Sequence, residues 1–438
     1  MRVLIVGQGG REHAIVKALA RSAHKPELLA FMSSVNPGIL PLCREYTLGK
    51  LRDVPAITAW ALEKKCDLVV IGPEEPLMHG LADELVARGI PCVGPQKKLA
   101  ELEGSKLALR ALVAKYLPEA NPDYRECVSP EQVSRAIQEL GKVAVKPLGL
   151  TSGKGVKVMG TQLPTVEDAV AYASQIIAQD GRVLLEELME GEEFSQMVFT
   201  DGVQVKAMPL AQDAKFAYEG DTGPMTGGMG SYTMPDQMLP FMTPEARAQA
   251  IGYVEKLLAS AQEAYGLRYH GILYGQFMLT RRGPKFVEVN VRLGDPEAIN
   301  VMALLKTDPF EVFQGMACGL PERVAFFPQA SVCKYLVPQG YPEHSRTDIQ
   351  VKFDEGVLRQ TGTEVIYAGA EAQGEYCRPT GSRFAAILAM RDQLPAAESA
   401  VEEAIGRLGL DSLYHRRDIA TPETIDKKIH HMQSILSA

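Results

Sequence analysis

A short apolar segment runs directly into a glycine-rich turn at the start of the chain. Residues 3–6 are all apolar, residues 7–10 are Gly-Gln-Gly-Gly, and residues 11–20 are typical of a helix. Similar segments continue the alternation, with apolar strands predicted at 28–32, 67–71 and 90–93 and a helix at 77–88. Short apolar strands that alternate with helices predict a parallel, doubly wound α/β sheet. Ligands of such sheets bind beyond the carboxyl ends of the strands, which is where this turn lies.

The pattern changes after about residue 105, where antiparallel signals replace the strand–helix alternation. Two predicted strands at 143–146 and 155–159 are joined by a glycine-rich turn, and a further strand is predicted at 183–187. Segments 272–279 and 285–291 predict a hairpin. Beyond residue 330 the sequence predicts strands at 332–337, 364–367 and 384–389, followed by a final helix at 395–407. This is a mixed α+β pattern, and we place domain boundaries near residues 104 and 325.

A chain of 438 residues has room for roughly three domains. Its 46 Lys and Arg against 54 Asp and Glu give a net charge of −8, which provides no general attraction for nucleic acid or anionic membranes, although a local basic pocket remains possible. No apolar run approaches the ~18 residues of a membrane span, and the first run is too short for a signal peptide. The cysteines number seven and include no CxxC pair. We therefore expect reduced thiols in a cytoplasmic protein rather than a disulfide framework or a zinc site.

The turn at residues 7–10 follows a strand and opens a helix, and backbone N–H groups in that position favour a bound anion. A dinucleotide fingerprint would have glycine where this chain has Glu12, and an acidic residue at the end of the second strand, where Met32 and Ser33 stand. The turn therefore suits a phosphate better than NAD. The alternative is a tight turn that needs glycine only for its conformation.

Lys146 ends the strand at 143–146 and is followed by a second glycine-rich segment, residues 149–155. The segment is not a Walker A loop, because only three residues separate Gly149 from Gly153, and a glycine follows Lys154. Backbone amides and two lysines could still hold phosphate oxygens. The alternative is a flexible hairpin with surface lysines.

Five glutamates occur within residues 186–195, directly after an apolar strand. An acidic run is usually a solvated surface, but Glu186 and Glu187 end the strand, where they could accept hydrogen bonds from the ribose and amino groups of a nucleotide. Residues 221–230 are dense in glycine and too long for a simple turn. Long irregular loops in compact domains are often functional.

Glu288 and Asn290 alternate with valines in the strand at 285–291, so the two polar side chains project to one face while the valines, Val287 among them, face the core. A carboxylate and an amide oxygen suit Mg²⁺, which typically keeps water and substrate phosphates in its shell. Arg292 adds a cation beside them. The alternative is an amphipathic strand that only presents a polar face.

The register of this hairpin depends on the length of its turn. We predict a three-residue turn, residues 281–283, with Gly283 in the left-handed conformation. Counting back from that turn pairs Gln276 with Glu288 and places both on the face of Asn290. A two-residue turn would put Gln276 opposite a valine and toward the core, since a shift of one residue reverses every side chain.

The order of the motifs is more specific than any one of them. The informative segments are GQGGREHA at 7–14, VVIGPEEPL at 69–77, EGSK at 103–106, VKPLGLTSGKGVKVMG at 145–160, EELMEGEEFS at 186–195, EGDTGPMTGGMGSY at 219–232, YGQFM at 274–278, VEVNVRLGDPEA at 287–298 and HRRDIA at 415–420. In these segments the chain resembles the phosphoribosylamine–glycine ligases, the glycinamide ribonucleotide synthetases of purine biosynthesis. The resemblance covers essentially the whole chain and is closer to the archaeal branch of that family.

The resemblance implies the ATP-grasp fold. Its parts would be an N-terminal parallel doubly wound α/β domain at 1–104, an ATP-grasp domain at 105–325 with a lid at about 124–190, and a small C-terminal α+β domain at 326–438. The implied reaction converts ATP, glycine and 5-phosphoribosylamine into glycinamide ribonucleotide, ADP and phosphate. The glycine carboxylate attacks the γ-phosphate, and the amine then attacks the resulting glycyl phosphate. Catalysis of this kind is mostly positioning and charge neutralisation.

The resemblance also implies roles for individual residues, beginning with ATP and the metal. The residues implied to bind ATP are Lys106, Lys146, Gly153, Lys154, Gly155, Glu186, Glu187, Leu188 and Glu193. Among them the lysines contact phosphates, residues 186–188 border the adenine and Glu193 takes the ribose. Glu288 and Asn290 are implied to bind one or two Mg²⁺ or Mn²⁺ ions, with Gln276 as a third ligand, directly or through water.

The implied catalytic residues are Arg292, Lys146 and Asp295. The residues implied to bind glycine and phosphoribosylamine are Gly9, Gly10, Glu75, Asp213, Lys215, Asp221, Thr222, Gly223, Gly227, Gly228, Met229, Arg292 and Asp295. We expect a cytoplasmic monomer, with a weak homodimer as the alternative, and no nucleic acid or membrane partner.

The chain departs from the family pattern at two places. The family commonly has Gln-Asp-His-Lys-Arg where this chain has Ala214 and Phe216 in place of the histidine and the arginine. The C-terminal segments 367–370 and 378–383 also differ from the sequence that is usual in the family. Two alternatives therefore stay open, namely another ATP-grasp carboxylate–amine ligase or carboxylase, and a non-catalytic nucleotide-binding relative.

Overall fold

The computed structural model of the chain describes residues 1–149 and 155–437. Its N-terminal region is a parallel sheet with the strand order β3-β2-β1-β4-β5. The elements are β1 (Arg2–Val6), α1 (Gly10–Ala20), β2 (Glu27–Met32), a 3-10 turn (Leu40–Leu42), β3 (Glu45–Leu48), α2 (Val54–Glu63), β4 (Leu68–Ile71), α3 (Glu74–Met78), α4 (Leu81–Ala87) and β5 (Cys92–Val93). The predicted parallel sheet is confirmed, and β1 lies at its centre because its apolar residues are buried on both faces.

Two details of this region differ from the prediction. The single helix predicted at 77–88 is wrong, because α3 and α4 are separate and Gly80 between them has a φ of +85°. A left-handed glycine of this kind interrupts a helix. The edge strand β3 was not predicted, since its sequence Glu-Tyr-Thr-Leu is largely exposed and carries no apolar run.

A small antiparallel sheet, with the order β6-β9-β7-β8, occupies the segment that was predicted to be a lid, and we keep that name for it. The elements of this part of the chain are α5 (Lys97–Gly104), α6 (Lys106–Tyr116), a 3-10 turn (Pro118–Ala120), β6 (Tyr124–Cys127), α7 (Pro130–Leu140), β7 (Val143–Lys146), β8 (Lys157–Val158), α8 (Val166–Asp180) and β9 (Val183–Glu187). The lid has an apolar core of its own, in which Val133 and Ala169 of the two helices pack on Val143 and Val183 of the sheet. The predicted strands at 143–146 and 183–187 are confirmed, whereas the strand predicted at 155–159 is shorter and spans Lys157–Val158.

The central sheet is antiparallel, with the order β11-β10-β16-β17, and it joins the main hydrophobic core of the molecule. The elements from here to residue 318 are β10 (Glu192–Asp201), β11 (Val205–Ala207), β12 (Gln212–Asp213), β13 (Phe216–Tyr218), β14 (Thr222–Met225), β15 (Gly230–Thr233), α9 (Pro244–Tyr265), β16 (His270–Thr280), β17 (Gly283–Asn290), α10 (Glu297–Leu304) and α11 (Pro309–Cys318). Strands β16 and β17 form the predicted hairpin.

The turn of the hairpin is shorter than predicted. Thr280 pairs with Gly283, so Arg281 and Arg282 alone form the turn, and the predicted three-residue turn is wrong. Gly283 has a φ of +90°, as expected for a position that favours glycine.

A β-bulge restores the predicted pairing deeper in the hairpin. Phe277 pairs with Phe286 whereas Gln276 pairs with Glu288, which leaves Val287 as the extra residue. The pairing of Gln276 with Glu288 is therefore confirmed, although the bulge and not the turn produces it. Val287 was predicted to face the core, but it is partly exposed and lines a cavity.

The C-terminal sheet has the order β12-β15-β18-β22-β19, and β23 also pairs with β18. The remaining elements are β18 (Ala330–Pro338), α12 (Glu355–Thr361), β19 (Glu364–Tyr367), β20 (Ala370–Gln373), β21 (Tyr376–Pro379), β22 (Ala385–Arg391), α13 (Leu394–Leu408), β23 (Leu413–Tyr414) and α14 (Pro422–Ser437). The predicted strands and the helix at 395–407 are confirmed, but that helix is not the last one, since α14 follows. Strands from the middle of the chain complete this sheet.

Within residues 1–149 and 155–437, no helix combines the length and the hydropathy that crossing a membrane requires. All seven cysteines are free, and five of them are buried.

Candidate active site

A cavity of about 410 Å³ lies where the lid, the central sheet and the two terminal regions meet. We divide its wall into a lid side, formed by Lys106, Arg110, Lys146 and Glu186, and a C-terminal side, formed by Asp213, Lys215, Asp295 and Arg383. Glu288, Asn290 and Arg292 line the same cavity. The structure therefore brings together most of the residues that the sequence motifs indicated.

The lid side is organised around a buried carboxylate. Lys146 at the end of β7 donates to Glu186 Oε2 at 2.6 Å, and Arg110 binds both Glu186 oxygens at 2.6 and 2.9 Å. The two strands place Lys146 and Glu186 side by side because Ala144 pairs with Glu186 in the ladder. Burial would raise the pKa of Glu186, but the two cations lower it to about 2. Glu186 is thus a buried anion that fixes Lys146.

Lys106 is the second cation of the lid side. It begins α6, directly after the N-cap Ser105, and its ammonium donates to the Gly149 carbonyl oxygen at 2.9 Å. Burial lowers the pKa of Lys106, while the Glu288 carboxylate opposes that shift. Two oriented ammonium groups in a water-poor cavity favour a phosphate anion between them.

The remaining residues predicted to bind ATP divide into three groups. Glu187, Leu188 and Glu193 line the cavity, and the Glu193 carboxylate accepts from Lys215 at 2.6 Å. Gly155 accepts from the Tyr172 hydroxyl at 2.7 Å and does not line the cavity, whereas Val156 beside it does. The predicted loop residues Gly153 and Lys154 lie outside the described residues.

Glu288 and Asn290 project together from β17, as predicted from their alternation. The Asn290 amide nitrogen donates to Glu288 Oε1 at 3.2 Å, and Arg292 donates to Asn290 Oδ1 at 3.0 Å. Burial would raise the pKa of Glu288, but Lys215, Asn290, Lys146 and Arg292 lower it. Glu288 therefore keeps a negative charge at the point where the cations of both sides meet.

The donor set of this site suits a hard divalent cation. A carboxylate and an amide oxygen are typical of Mg²⁺ sites, in which water and substrate phosphates supply the other ligands. Over the described ranges, no group of three or more His, Cys, Asp or Glu side chains could hold a metal by itself. An ion at Glu288 and Asn290 would therefore depend on the substrate for part of its shell.

Gln276 lies on the same face as Glu288 but beneath the surface of the cavity. It is fully buried, its amide nitrogen donates to Glu193 Oε2 at 3.0 Å, and its amide oxygen accepts from the Tyr274 hydroxyl. The hydroxyl oxygens of Tyr274 and Ser195 also lie 2.8 and 2.9 Å from the Glu297 carboxylate. These contacts occupy the polar atoms of Gln276, so its link to a metal would be indirect.

Arg292 is held by two carboxylates of the N-terminal half. Its guanidinium contacts Glu103 at 2.9 Å and Glu74 at 3.3 Å. Burial raises the pKa of Glu103 to about 7, although Arg292 opposes the shift. Glu74 lines the cavity, whereas its predicted neighbour Glu75 is exposed and does not, so the substrate role of Glu75 stays a prediction without support from the cavity wall.

The C-terminal side depends on an arginine that the sequence motifs did not indicate. Arg383 donates to the carbonyl oxygens of Asp295 and Gly228 at 2.7 and 2.9 Å, and it also contacts Gly227. Its guanidinium lies 4.6 Å from the centre of the Tyr335 ring, whose hydroxyl donates to Asp295 Oδ1 at 2.6 Å. Arg383 thus joins the C-terminal sheet to the loop that carries Asp295.

Asp213 and Lys215 complete the C-terminal side. Burial raises the pKa of Asp213, while the Lys215 ammonium opposes the shift. Ala214 between them does not line the cavity and exchanges backbone hydrogen bonds with Gly230 and Met229. Phe216 also lies outside the cavity wall. Neither Ala214 nor Phe216 therefore belongs to the described wall of the cavity, whereas the other departing segment, 378–383, contributes Arg383 to it.

The glycine-rich turn at residues 7–10 is hydrogen-bonded to a side chain of the helix that follows it. The Gly9 N–H donates to Glu12 Oε2 at 2.5 Å, and Glu12 is buried beside Arg11. A phosphate at that amide would have to displace Glu12, which argues against the predicted anion site there. Gly10 approaches Tyr335 so closely that a Cβ would lie 2.3 Å from its hydroxyl oxygen. The turn thus meets the C-terminal side through close packing.

Several residues of the predicted substrate loop do not line the cavity. Gly227 lines the cavity, together with Met225 and Thr226. The other predicted residues of the loop lie outside the cavity wall, namely Asp221, Thr222, Gly223, Gly228 and Met229. Asp221 is exposed and accepts from Arg416 at 2.8 Å. The middle of the loop therefore forms part of the cavity wall, while the start of the loop is bound to the C-terminal region.

Three family models match the chain in order along its length. They are the N domain of phosphoribosylglycinamide synthetase at residues 1–103, its ATP-grasp (A) domain at 104–298 and its C domain at 331–422. The chain is 42% identical to the phosphoribosylamine–glycine ligase of Methanosarcina barkeri over 99% of this chain and 100% of that protein. It is also 42% identical to that of Pyrococcus abyssi, over 99% of this chain and 98% of the relative.

Solved structures show the same fold. The crystal structure of phosphoribosylamine–glycine ligase from Thermotoga maritima is 25% identical, has a TM-score of 0.79 and covers 96% of this chain and 100% of that chain. The ADP complex of an N5-carboxyaminoimidazole ribonucleotide synthetase, at 18% identity and a TM-score of 0.65, covers 92% of this chain and 95% of that one. The second likeness concerns the fold alone. Together with the family models, these structures confirm the predicted ATP-grasp fold class.

Proposed function

The chain belongs to the phosphoribosylglycinamide synthetase family, and we propose that it joins glycine to 5-phosphoribosylamine in an ATP-driven reaction of purine biosynthesis. The products are glycinamide ribonucleotide, ADP and phosphate. The observation that carries the proposal is the position of Glu288, where the charges of the lid-side Lys146 and the C-terminal-side Lys215 meet. A phosphoryl group that passes from ATP to a carboxylate needs both sets of cations at one place.

On the lid side, Lys106 and Lys146 neutralise the phosphates of ATP, and residues 186–188 border the adenine. Arg292 stabilises the phosphoryl group as it moves to the glycine carboxylate. A divalent ion at Glu288 and Asn290, which we propose to be Mg²⁺ or Mn²⁺, supplies further neutralisation of phosphate charge when bound. The buried contacts of Gln276 support an indirect role for it, through Glu193 or water.

On the C-terminal side, Asp213, Lys215, Asp295 and Gly227 hold glycine and phosphoribosylamine, and Arg383 joins them. The amine nitrogen attacks the carbonyl carbon of the glycyl phosphate. The new C–N bond forms as the C–O bond to phosphate breaks, phosphate leaves with the electron pair, and the nitrogen loses a proton. The cavity favours this step because it holds both reactants in place and limits access of water.

A coupled assay of ADP release tests the proposal, with glycine, phosphoribosylamine and ATP omitted in turn. We expect ADP only when all three are present, together with Mg²⁺ or Mn²⁺. Release with another acid in place of glycine would instead identify a different carboxylate–amine ligase or a carboxylase. ATP binding without turnover of any acid would identify a non-catalytic relative.

We also propose that the protein is a cytoplasmic monomer, with a weak homodimer as the alternative. Seven free cysteines, five of them buried, suit a reducing compartment. Sedimentation at several protein concentrations distinguishes the two oligomeric states.

A further inference from the structure

Arg110 is one of the largest fully buried side chains in the described part of the chain. It lies on α6, one turn after Lys106, and all five of its N–H donors are used. Two donate to Glu186, one to Asn121 Oδ1 at 3.4 Å, one to the Phe286 carbonyl oxygen at 3.0 Å and one to the Val287 carbonyl oxygen at 2.7 Å. A buried guanidinium with every donor satisfied is rigid, so its contacts define fixed positions for its partners.

The first set of contacts holds the β-bulge of β17. Val287 is the extra residue of the bulge, and Phe286 before it is the last residue in the register set by the turn. Arg110 donates to the carbonyl oxygens of both residues. Because the bulge is what places Glu288 opposite Gln276, Arg110 fixes the face to which Glu288 and Asn290 point.

The second set of contacts acts on Lys146 through the carboxylate that they share, Glu186. Glu186 accepts from Arg110 through both oxygens and from Lys146 through one of them. Without Arg110, the buried Glu186 carboxylate would keep Lys146 as its one ion-pair partner among residues 1–149 and 155–437, and it would hold that ammonium more tightly. Lys146 would then be less free to bind a phosphate.

We propose that Arg110 is a positioning residue that sets the metal ligands Glu288 and Asn290 and the phosphate-binding Lys146 at the same time. The inference deepens the proposed function and rests on it, since the roles of Lys146 and Glu288 come from that proposal. One guanidinium thereby fixes the distance between the cation of the lid and the strand that carries the metal site. Lysine cannot replace it, because an ammonium has three donors and no planar fork.

Arg110→Met, Arg110→Lys and the control Val113→Ala test this role. Val113 is fully buried on the same helix, so its truncation weakens the packing of α6 without removing a contact to Glu186 or to the bulge. The probe is Mn²⁺ in the presence of ADP, with binding followed by the electron spin resonance of the free ion. We expect the dissociation constant of Mn²⁺ to rise at least tenfold in Arg110→Met, to rise less in Arg110→Lys and to stay unchanged in Val113→Ala.

Wild-type Mn²⁺ binding in a folded Arg110→Met variant would overturn the inference, as would an equal loss in Val113→Ala. If Arg110→Met does not fold, the double variant Arg110→Met with Glu186→Gln removes the buried charge that would otherwise be left unpaired. That variant should bind Mn²⁺ at least tenfold more weakly than Glu186→Gln alone, since the bulge lacks its donors, and equal binding by the two contradicts the inference. These measurements need no turnover, so they are decided separately from the ligation assay, whose failure would overturn the proposed function.

Discussion

The two sides of the cavity are assembled in different ways. The lid side comes from neighbouring strands and from one helix, and two of its cations, Lys146 and Arg110, are fixed by a single buried carboxylate, Glu186. The C-terminal side brings together residues that are far apart in the chain, such as Asp213, Asp295 and Arg383. The comparison teaches that a nucleotide-binding surface can be built from local strand ends, while the surface for the other substrates depends on the docking of whole regions.

The largest effect is expected at Lys146, whose replacement should greatly lower the ligase activity while the protein stays folded. Lys146→Ala should lower kcat about 100- to 1000-fold, by analogy with the ~2.7–4 kcal/mol contributed by one oriented donor to a developing anion. The fold should persist because Glu186 keeps both contacts from Arg110. ADP release and circular dichroism are the measurements, and the exposed Lys142→Ala on the approach to the same strand is the control. A folded variant with full activity would remove Lys146 from the mechanism.

Arg383→Ala should produce the next largest effect, confined to the C-terminal side. Loss of its charged hydrogen bonds, each worth about 1.5–3 kcal/mol, should raise the KM for glycine or phosphoribosylamine about 10- to 100-fold. The KM for ATP should change little, because Arg383 contacts residues 227, 228 and 295. Arg378→Ala, an exposed arginine paired with Glu371, is the matched control. An equal rise in the KM for ATP would show that the two sides are not separable.

A smaller effect concerns stability at the contact between the terminal regions. His13 on α1 is buried, its Nδ1 accepts from the Tyr367 N–H at 2.8 Å, and burial lowers its pKa to about 3. Below about pH 6.5 the unfolded chain binds a proton at this histidine that the folded chain does not, so stability falls as the pH decreases from 6.5 toward 3. The contribution should be about 1 kcal/mol at pH 5.5.

His13→Gln should therefore lose less stability than the wild type between pH 7 and pH 5.5. Urea unfolding at a series of pH values measures the difference, and the glutamine can still accept from Tyr367. Parallel pH profiles for the two proteins would mean that His13 is protonated in the folded state.

The smallest effect is expected at Asp221, at the start of the loop that was predicted to bind substrate. Asp221→Asn should leave every KM within about twofold, because the side chain is exposed and contacts Arg416 rather than the cavity. Its stability cost should be about 1 kcal/mol or less, because the Asp221 carboxylate is exposed and the buried Arg416 guanidinium keeps both contacts with Asp418. Asp213→Asn, in contrast, lies in the cavity wall and should raise the KM of a substrate. A large effect at Asp221 would extend the C-terminal side to this loop.

The sequence predicts the lid side well because its residues end apolar strands, and strand ends meet at one edge of a sheet. Lys146 and Glu186 could be identified in this way, and Glu288 could be identified from its alternation with valines in its strand. Arg110 and Arg383 could not, because a buried arginine has the same local surroundings in sequence as a solvated one. The spacing of four residues between Lys106 and Arg110 on one helix is the only local signal of a shared face.

The hairpin shows the limit of reasoning from the turn alone. Two departures, the shorter turn and the bulge at Val287, compensate, so that the pairing of Gln276 with Glu288 was predicted correctly from a wrong turn. A local sequence pattern also cannot show that carbonyl oxygens at the bulge accept hydrogen bonds from Arg110, which is distant in the chain. Long-range pairing, such as that of β15 with β18, is equally invisible in a segment-by-segment prediction.

The pairing of β15 with β18 has a consequence for synthesis of the chain. Gly230 pairs with Lys334, so β15 leaves the ribosome about 100 residues before its partner. At roughly 5–20 residues per second, the buried strand waits some 5–20 s with its ladder unfilled. During that interval the nascent chain presents an open strand edge, and a chaperone or a second nascent chain can occupy it. Truncation near residue 325 would make that temporary exposure permanent.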